Sequence, residues 1–204
     1  MSKQQNNYHH GNLRQVLLDE AIKEIRANGV DKLSLRAIAR NAGVSQTAPY
    51  RHFADKEALL ADLAAMAFIE LAQATVLPLT KASGAAAKIE QATAAYLNYA
   101  NQNPEKYRLM FGPSIRDRES HPKLVEAGES AFALLREFIE EGQAAHEFIQ
   151  GDSQYMACSL WASVHGYAMM QIDGLYPRLD LPEDPNQMLH LHVEMMLRSL
   201  VFQC

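Results

Sequence analysis

The residues best suited to sequence-specific chemistry are Gln46, Thr47 and Ala48, which open a predicted short helix. A glutamine amide can pair bidentately with adenine, and the methyl groups of Thr and Ala can contact the methyl group of thymine. Ser45, directly before them, is expected to cap this helix with its hydroxyl and to belong to the same DNA-binding group. Short side chains of these types at the start of a helix are typical of a helix that reads base edges in the major groove.

Five further residues nearby suit contact with a phosphate backbone, although solvated surface positions carry the same residue types. Tyr50 and His52 each combine an apolar ring with a polar tip. Lys56 opens the next predicted helix, where its charge opposes the helix dipole at a cost of about 0.3–1 kcal/mol. A lysine at a position where the helix dipole disfavours positive charge indicates a functional role. Ser34 and Arg36 are expected to hold the backbone of the opposite strand.

Two short helices that cross at a tight turn are predicted to position these side chains. Ser34 is expected to cap the first helix, and Gly43 can adopt the left-handed conformation that turns the chain sharply after it. The second helix is predicted over 46–53, and Asp55 is expected to cap a long third helix. The pattern therefore predicts a helix-turn-helix motif over about 34–53, although a helical hairpin without a DNA role has the same local features.

The strings IARNAGVS, YRHF and DKEALL together resemble the DNA-binding segment of the TetR/AcrR family of bacterial transcriptional regulators. The matching residues are Ile38-Ala39, Ala42-Gly43-Val44-Ser45, Tyr50, His52-Phe53, Lys56-Glu57 and Leu59. The resemblance implies a DNA-binding regulator that works as a homodimer on a palindromic operator. It further implies a repressor that an unidentified small-molecule effector releases from DNA, with no cofactor.

Two residues depart from the family pattern, in which Gly and a branched apolar residue are common where this chain has Thr47 and Pro49. Pro49 lacks an N–H at about the fourth position of its helix, but donors of the first turn have no helical partner in any case. We therefore expect a tight or slightly deformed recognition helix. Upstream of the motif, residues 8–14 resemble the N-terminal arm of one subgroup of the family.

Composition and charge fit this interpretation. The chain has 204 residues, 48% of them apolar, and a net charge of −5. Residues 1–55 hold eight Lys/Arg and five Asp/Glu, a net charge of +3, so a basic head precedes an acidic body. No run of eighteen apolar residues and no secretory signal is found, and the two cysteines fit a reducing compartment. We expect a cytoplasmic, nucleoid-associated protein.

Helical periodicity and the scarcity of Gly and Pro predict an all-α chain of about nine helices. An N-terminal three-helix head with the helix-turn-helix is expected over 10–71, and a larger C-terminal helical domain for effector binding and dimerisation over 72–204. The helices are predicted at 12–28, 34–41, 46–53, 55–76, 85–101, 104–111, 122–145, 154–174 and 186–204.

The C-terminal part carries a second resemblance. Trp161, His165 and Gly166 resemble the C-terminal domain of one TetR-like subgroup. A pocket among the middle helices is expected from apolar side chains with a few polar tips, although each of them also suits ordinary core packing. The expected lining is Met66, Tyr96, Tyr99, Met110, Phe111, Trp161, His165 and Met169.

The last helix carries an apolar stripe that suits a seam between two subunits of a four-helix bundle, with core packing as the alternative. The stripe is Leu189, Val193, Met196 and Leu200.

Catalytic and metal-binding patterns are absent from the sequence, and Cys158 is expected to be a buried, inert thiol. Two other functions stay open: a helical protein-interaction adaptor without DNA affinity, and an enzyme that uses the body pocket.

Overall fold

The computed structural model of the chain describes residues 13–81, 83–175 and 185–201, and the regular structure in these ranges is helical. The all-α prediction is confirmed. The arm before Leu13, the connection at 176–184 and Cys204 lie outside the described residues. The eight α-helices described are α1 Leu13–Asn28, α2 Leu35–Asn41, α3 Lys56–Val76, α4 Ala85–Gln102, α5 Pro104–Phe111, α6 Pro122–Ala144, α7 Ser153–Ile172 and α8 Pro185–Arg198. Short 3-10 helices lie at Pro49–Arg51, Leu77–Lys81 and Arg118–Ser120.

Side-chain caps fix the starts of three helices. The Ser34 hydroxyl accepts a hydrogen bond from the Ala37 N–H at 3.1 Å, and the Asp55 carboxylate accepts one from the Ala58 N–H at 2.8 Å. Both caps were predicted, and both are confirmed. Asp152 caps α7 in the same way, at 3.0 Å from the Tyr155 nitrogen. Each cap satisfies an N–H that has no partner inside its helix.

The chain divides into two compact units, and the division differs from the expected boundary at residue 71. The first unit contains the described residues up to Ala67 together with Glu105–Val125, so α5 and the loop after it belong with the helix-turn-helix. Its core is built from the apolar faces of α1, α2 and α3 and from α5. The largest buried side chains there are Leu17, Leu18, Ile38, Phe53, Leu59, Tyr107, Met110 and Leu124.

The second unit contains Phe68–Pro104 and the described residues from Glu126 onward. Here α4 packs against both α7 and α8. Glu147 holds the start of α4, because its carboxylate accepts hydrogen bonds from the Ala85 N–H at 2.8 Å and the Ala86 N–H at 3.3 Å. The backbone N–H of Ile149 donates to the Leu200 carbonyl at 2.8 Å, which ties the segment after α6 to the end of the chain.

Among the described helices, the α3 region alone is long and apolar enough to match a membrane span by length and composition, and half of that window is buried in the protein. The helix carries Asp62 and Glu70. Asp62 pairs with Arg14, and Glu70 accepts a hydrogen bond from the Tyr99 hydroxyl at 2.9 Å. Core helices of soluble proteins pass the same test, and these polar partners fit a core helix.

Gly142 of α6 is predicted to be required for full stability. A Cβ there would overlap the buried ring of Phe148 and lie 2.9 Å from the Ala85 Cβ. We expect Gly142→Ala to lower the free energy of unfolding by about 1–3 kcal/mol through overpacking. Gly128 in the same helix is the matched control, since a Cβ there would meet only the Phe68 ring at an ordinary 3.7 Å. Gly128→Ala should stabilise the protein by up to about 1 kcal/mol through helix propensity. Thermal unfolding of both variants checks the opposite signs, and equal shifts would contradict the packing argument.

Candidate nucleic-acid interface

The turn after α2 is closed by three backbone hydrogen bonds. The N–H of Ala42 donates to Ile38, that of Gly43 to Arg40, and that of Val44 to Ala39, at 2.9, 3.1 and 3.0 Å. Gly43 has a φ of +69°, and a Cβ there would meet nothing within 4 Å. Glycine is therefore required by the left-handed backbone and not by crowding, as the sequence predicted.

The recognition segment, residues 45–53, is tight, as expected from Pro49, and it does not form the α-helix predicted over 46–53. It consists of a turn at 46–47 and a 3-10 helix at Pro49–Arg51, so the described residues show eight α-helices where about nine were expected. The Ala48 N–H donates to the Ser45 carbonyl at 3.0 Å, an i→i−3 bond. Pro49 has no N–H for the i→i−4 bond to that same carbonyl, which explains why the α-helical ladder does not form here.

Two expectations about this segment are corrected. Ser45 does not cap the helix, because the N-cap residue is Ala48 and its side chain makes no capping bond; the Ser45 and Thr47 hydroxyls instead share a hydrogen bond at 3.2 Å. Ala48 is 9% exposed and belongs to the core, so its methyl group is withdrawn from any base. Both corrections follow from the tighter turn, which starts the helical segment later and buries Ala48 beside Pro49.

Most of the side chains expected to contact DNA are exposed in this segment. Gln46, Thr47 and His52 are exposed, and Tyr50 is 50% exposed. Arg51 is also exposed, and sequence reasoning assigned it no role. The sequence signal that could have identified Arg51 was its positive charge between Tyr50 and His52, which were both expected to contact phosphate.

Three candidate phosphate contacts outside the segment differ in how they are held. Arg36 is exposed on α2, and Ser34 is exposed but its hydroxyl is engaged in the cap. Lys56 is half-buried, and its ammonium group donates to the Asp31 carbonyl at 3.0 Å. An ammonium group has three donors, so this bond orients Lys56 and leaves two donors for a ligand.

Arg14 anchors the end of the recognition segment. Its guanidinium lies 5.6 Å from the centre of the buried Phe53 ring and forms an ion pair with Asp62 of α3. A guanidinium over an aromatic face is attracted by the ring quadrupole. The contact therefore ties α1, the recognition segment and α3 together inside the first unit.

The surface charge of the motif is positive. Residues 32–54 contain no Asp or Glu, while Lys32, Arg36, Arg40 and Arg51 lie within this stretch and are exposed. A local excess of positive charge attracts phosphate and speeds the approach of a nucleic acid, although the whole chain is acidic. The arrangement presents the polar side chains of Gln46 and Thr47 within a basic surface.

The second unit contains an aromatic group around Trp161. The rings of Trp161 and His165 stack with their centres 5.3 Å apart, and Phe132 meets Trp161 edge-on at 6.3 Å. Burial lowers the pKa of His165, so the neutral imidazole is favoured. Tyr99 is buried, and burial together with the neighbouring Glu70 carboxylate raises its pKa above the usual range.

The expected pocket residues do not all lie in one unit. Met66, Met110 and Phe111 belong to the first unit, and Tyr96, Tyr99, Trp161, His165 and Met169 to the second. An open cavity of about 430 Å³ lies on α6 and at the start of α7. Phe132 connects it to the aromatic group. Its lining is Glu129, Ser130, Phe132, Ala133, Arg136 and Gln154.

The expected dimer seam and the expected burial of Cys158 are also corrected. Val193, Met196 and Leu200 are buried within their own chain, and the side chain of Leu189 lies outside the described residues. The most apolar stripe of α8 thus fills the core. Cys158 is exposed on α7 as a free thiol. Across the described ranges, no three His, Cys, Asp or Glu side chains are grouped to hold a metal ion.

Comparison with known proteins gives this helix-turn-helix DNA-binding fold a family. Residues 17–63 match the model of bacterial regulatory proteins of the tetR family, and residues 89–196 match that of the tetracyclin repressor-like C-terminal domain. The matched regions extend over most of the chain and lie on both sides of residue 71. The chain belongs to the TetR family of DNA-binding transcriptional regulators.

Similar proteins come from several bacteria. An uncharacterised helix-turn-helix-type transcriptional regulator of Haemophilus influenzae is 23% identical over 92% of this chain and 87% of its own length. A solved structure of a Rhodococcus sp. RHA1 protein with unknown function is 34% identical, covers 97% of this chain and 100% of its own, and has a TM-score of 0.85. The TetR-family regulator PfmR of Thermus thermophilus shares the fold, with 20% identity, 89% and 97% coverage and a TM-score of 0.66.

Proposed function

We propose that this regulator is a homodimeric repressor that binds a palindromic operator and leaves it when a small-molecule effector binds the body. The observation that carries the proposal is the exposed pair Gln46 and Thr47, presented directly after the Gly43 turn in a stretch without acidic residues. Gln46 reads adenine and Thr47 contacts a thymine methyl group. Membership of the family supports a cytoplasmic location.

Phosphate contacts fix the register of the two heads on the duplex. We assign this role to Tyr50, His52 and Lys56, with Arg36 on the neighbouring strand, and we add Arg51. Lys56 is held in place by the Asp31 carbonyl, so little side-chain freedom is lost when it meets a phosphate. One head covers a half-site, and two heads must therefore lie about one helical turn, ~34–36 Å, apart or a multiple of it.

The dimer seam is assigned to the sides of α7 and α8 that face solvent. Both helices pack against α4, and their other sides are exposed. On α7 the exposed residues Tyr155, Ser159, Ala162 and Gly166 share one helix face at four-, three- and four-residue spacing. Among the side chains of α8 that the structure describes, Leu191 and Met195 are apolar and exposed, Met195 to 74%. The small residues Ser159, Ala162 and Gly166 on α7 allow close approach of a second copy, and the large side chains of Tyr155, Leu191 and Met195 supply apolar area, which suits a four-helix bundle between two copies.

The effector is proposed to act through the second unit. The aromatic group of Phe132, Trp161 and His165 supplies an apolar wall in this unit. The cavity on α6 shares Phe132 with it and adds polar groups such as Glu129 and Gln154. Small-molecule sites combine apolar walls with polar groups that fix the orientation of the ligand. An effector lowers DNA affinity only by the difference between its affinities for the DNA-bound and the released arrangements.

Selection of random duplex DNA by the purified protein, with salt varied, tests the operator claim. We expect enrichment of a palindrome whose half-sites are spaced by a whole number of helical turns, because two identical heads read two identical half-sites. Gln46→Ala should change the base preference at one position of each half-site and leave the spacing unchanged. Retention of DNA without sequence enrichment, lost at modest salt, would refute operator binding.

Lys56→Ala is expected to weaken binding to all duplexes alike. One lost phosphate contact should make the slope of log affinity against log salt shallower by about 0.9. Lys23→Ala is the charge-matched control, since Lys23 pairs with Glu20 on the exposed side of α1. Titrations of the selected duplex at several salt concentrations measure both slopes. Identical slopes for the two variants would remove Lys56 from the interface.

Met195→Glu is expected to dissociate the dimer, because it places a charge at the centre of the assigned seam. The substitution leaves the core intact, since Met195 is exposed within its own chain. Ile69→Glu introduces the same charge in place of an exposed apolar side chain on α3 and serves as the control. Sedimentation equilibrium should show monomers for Met195→Glu and dimers for Ile69→Glu. A dimeric Met195→Glu protein would place the seam elsewhere.

A further inference from the structure

Glu57 makes an unusual connection at the second position of α3. One oxygen of its carboxylate, Oε1, accepts hydrogen bonds from the backbone N–H groups of Arg116 and Asp117, at 2.9 and 3.0 Å. Both donors lie in the α5–α6 loop, residues 112–121, and both belong to the first unit together with Glu57. A carboxylate that accepts two N–H bonds makes charge-assisted hydrogen bonds, which are stronger than neutral ones.

The α5–α6 loop is itself anchored in the first unit. Ile115 is buried, and Asp117 accepts a hydrogen bond from the Ser120 N–H at 3.3 Å, which closes the 3-10 turn after it. The two N–H donors that the loop presents to Glu57 are therefore fixed in position. In return, Glu57 fixes the first turn of α3 against this loop.

That first turn carries the proposed phosphate contact. Lys56 donates to the Asp31 carbonyl, and Asp55 caps the helix one residue earlier. Three consecutive residues thus bind three different parts of the first unit: the helix start, the α1–α2 connection and the α5–α6 loop. Lys56 lies between the other two, so its position depends on both anchors.

The helix dipole favours a carboxylate in the first turn of α3, but nearness to a DNA phosphate disfavours one. A carboxylate beside a lysine that contacts phosphate repels the DNA backbone, and its removal should then strengthen binding. A negative charge is understandable here if its hydrogen bonds to the loop contribute more to binding than its repulsion costs.

We propose that Glu57 is a positioning residue for operator binding, which holds Lys56 at its phosphate by tying the first turn of α3 to the α5–α6 loop. This inference rests on the proposed function. It follows that any rearrangement of the loop that withdraws the N–H groups of Arg116 and Asp117 weakens DNA binding. By thermodynamic reciprocity, bound DNA must stabilise the loop to the same degree.

Two charge-matched variants separate positioning from electrostatics. Glu57→Gln removes the charge but keeps a carbonyl oxygen for both N–H groups, and Glu57→Ala removes charge and acceptor together. We expect Glu57→Ala to bind the selected duplex about tenfold more weakly than the wild type, with a shallower salt slope. Glu57→Gln should bind at least as tightly as the wild type. If Glu57→Ala binds as tightly as Glu57→Gln, the positioning role is overturned.

A double variant tests whether Glu57 acts through Lys56. If it does, Glu57→Ala should weaken binding little further once Lys56 is already Ala, because the two changes share one contact. Additive losses would assign Glu57 a separate role and contradict the proposal. Thermal unfolding of each variant identifies the temperature range in which all are folded, and binding is compared within it.

Amide hydrogen exchange supplies a second readout, which is measured first on the free protein and then with operator added. Exchange at Arg116 and Asp117 should accelerate in Glu57→Ala and stay slow in Glu57→Gln, and added operator should slow it further only where the acceptor is present. Unchanged exchange in Glu57→Ala would overturn the tie to the loop. If the wild type selects no duplex while exchange responds as expected, the proposed function fails and the tie itself stands.

Discussion

The structure depends on one uninterrupted helix, α3, which supplies core side chains to both units. Leu59, Leu60 and Leu63 are buried in the first unit, and Phe68 and Leu71 in the second. No Gly or Pro interrupts its sequence from Lys56 to Val76, so nothing in the helix favours a kink. The helix that carries the proposed phosphate contact at its start thus also carries Glu70, the partner of the buried Tyr99, in the other unit.

Local chemistry accounts for what the sequence predicted well. The caps at Ser34 and Asp55 and the left-handed Gly43 depend on interactions within a few residues, and all three are present. The recognition segment was harder, because the missing N–H of Pro49 affects the whole turn before it and draws Ala48 into the core. The exposure of Gln46 and Thr47 follows from the motif, whereas the tie between Glu57 and residues about sixty positions away has no sequence signal.

The two faces of α8 show why periodicity alone misassigns an interface. An amphipathic stripe indicates that a helix face is buried, but it does not indicate by what. The chain buries Val193, Met196 and Leu200 in its own core and leaves Leu191 and Met195 outside. The same reasoning applies to Cys158, whose helix is apolar on several sides but packs only one of them on α4. The exposure of a side chain depends on tertiary packing, which helical periodicity alone does not reveal.

The composition of the first unit has a consequence for synthesis of the chain on the ribosome. The unit draws core residues such as Tyr107, Met110 and Leu124 from a segment that follows Ala67 by about forty to sixty residues. At translation rates of roughly 5–20 residues per second, this segment emerges about 2–12 s after Ala67. During that interval the apolar surface that these residues later cover is exposed to solvent. The core of the first unit therefore closes only well after its helix-turn-helix has been synthesised.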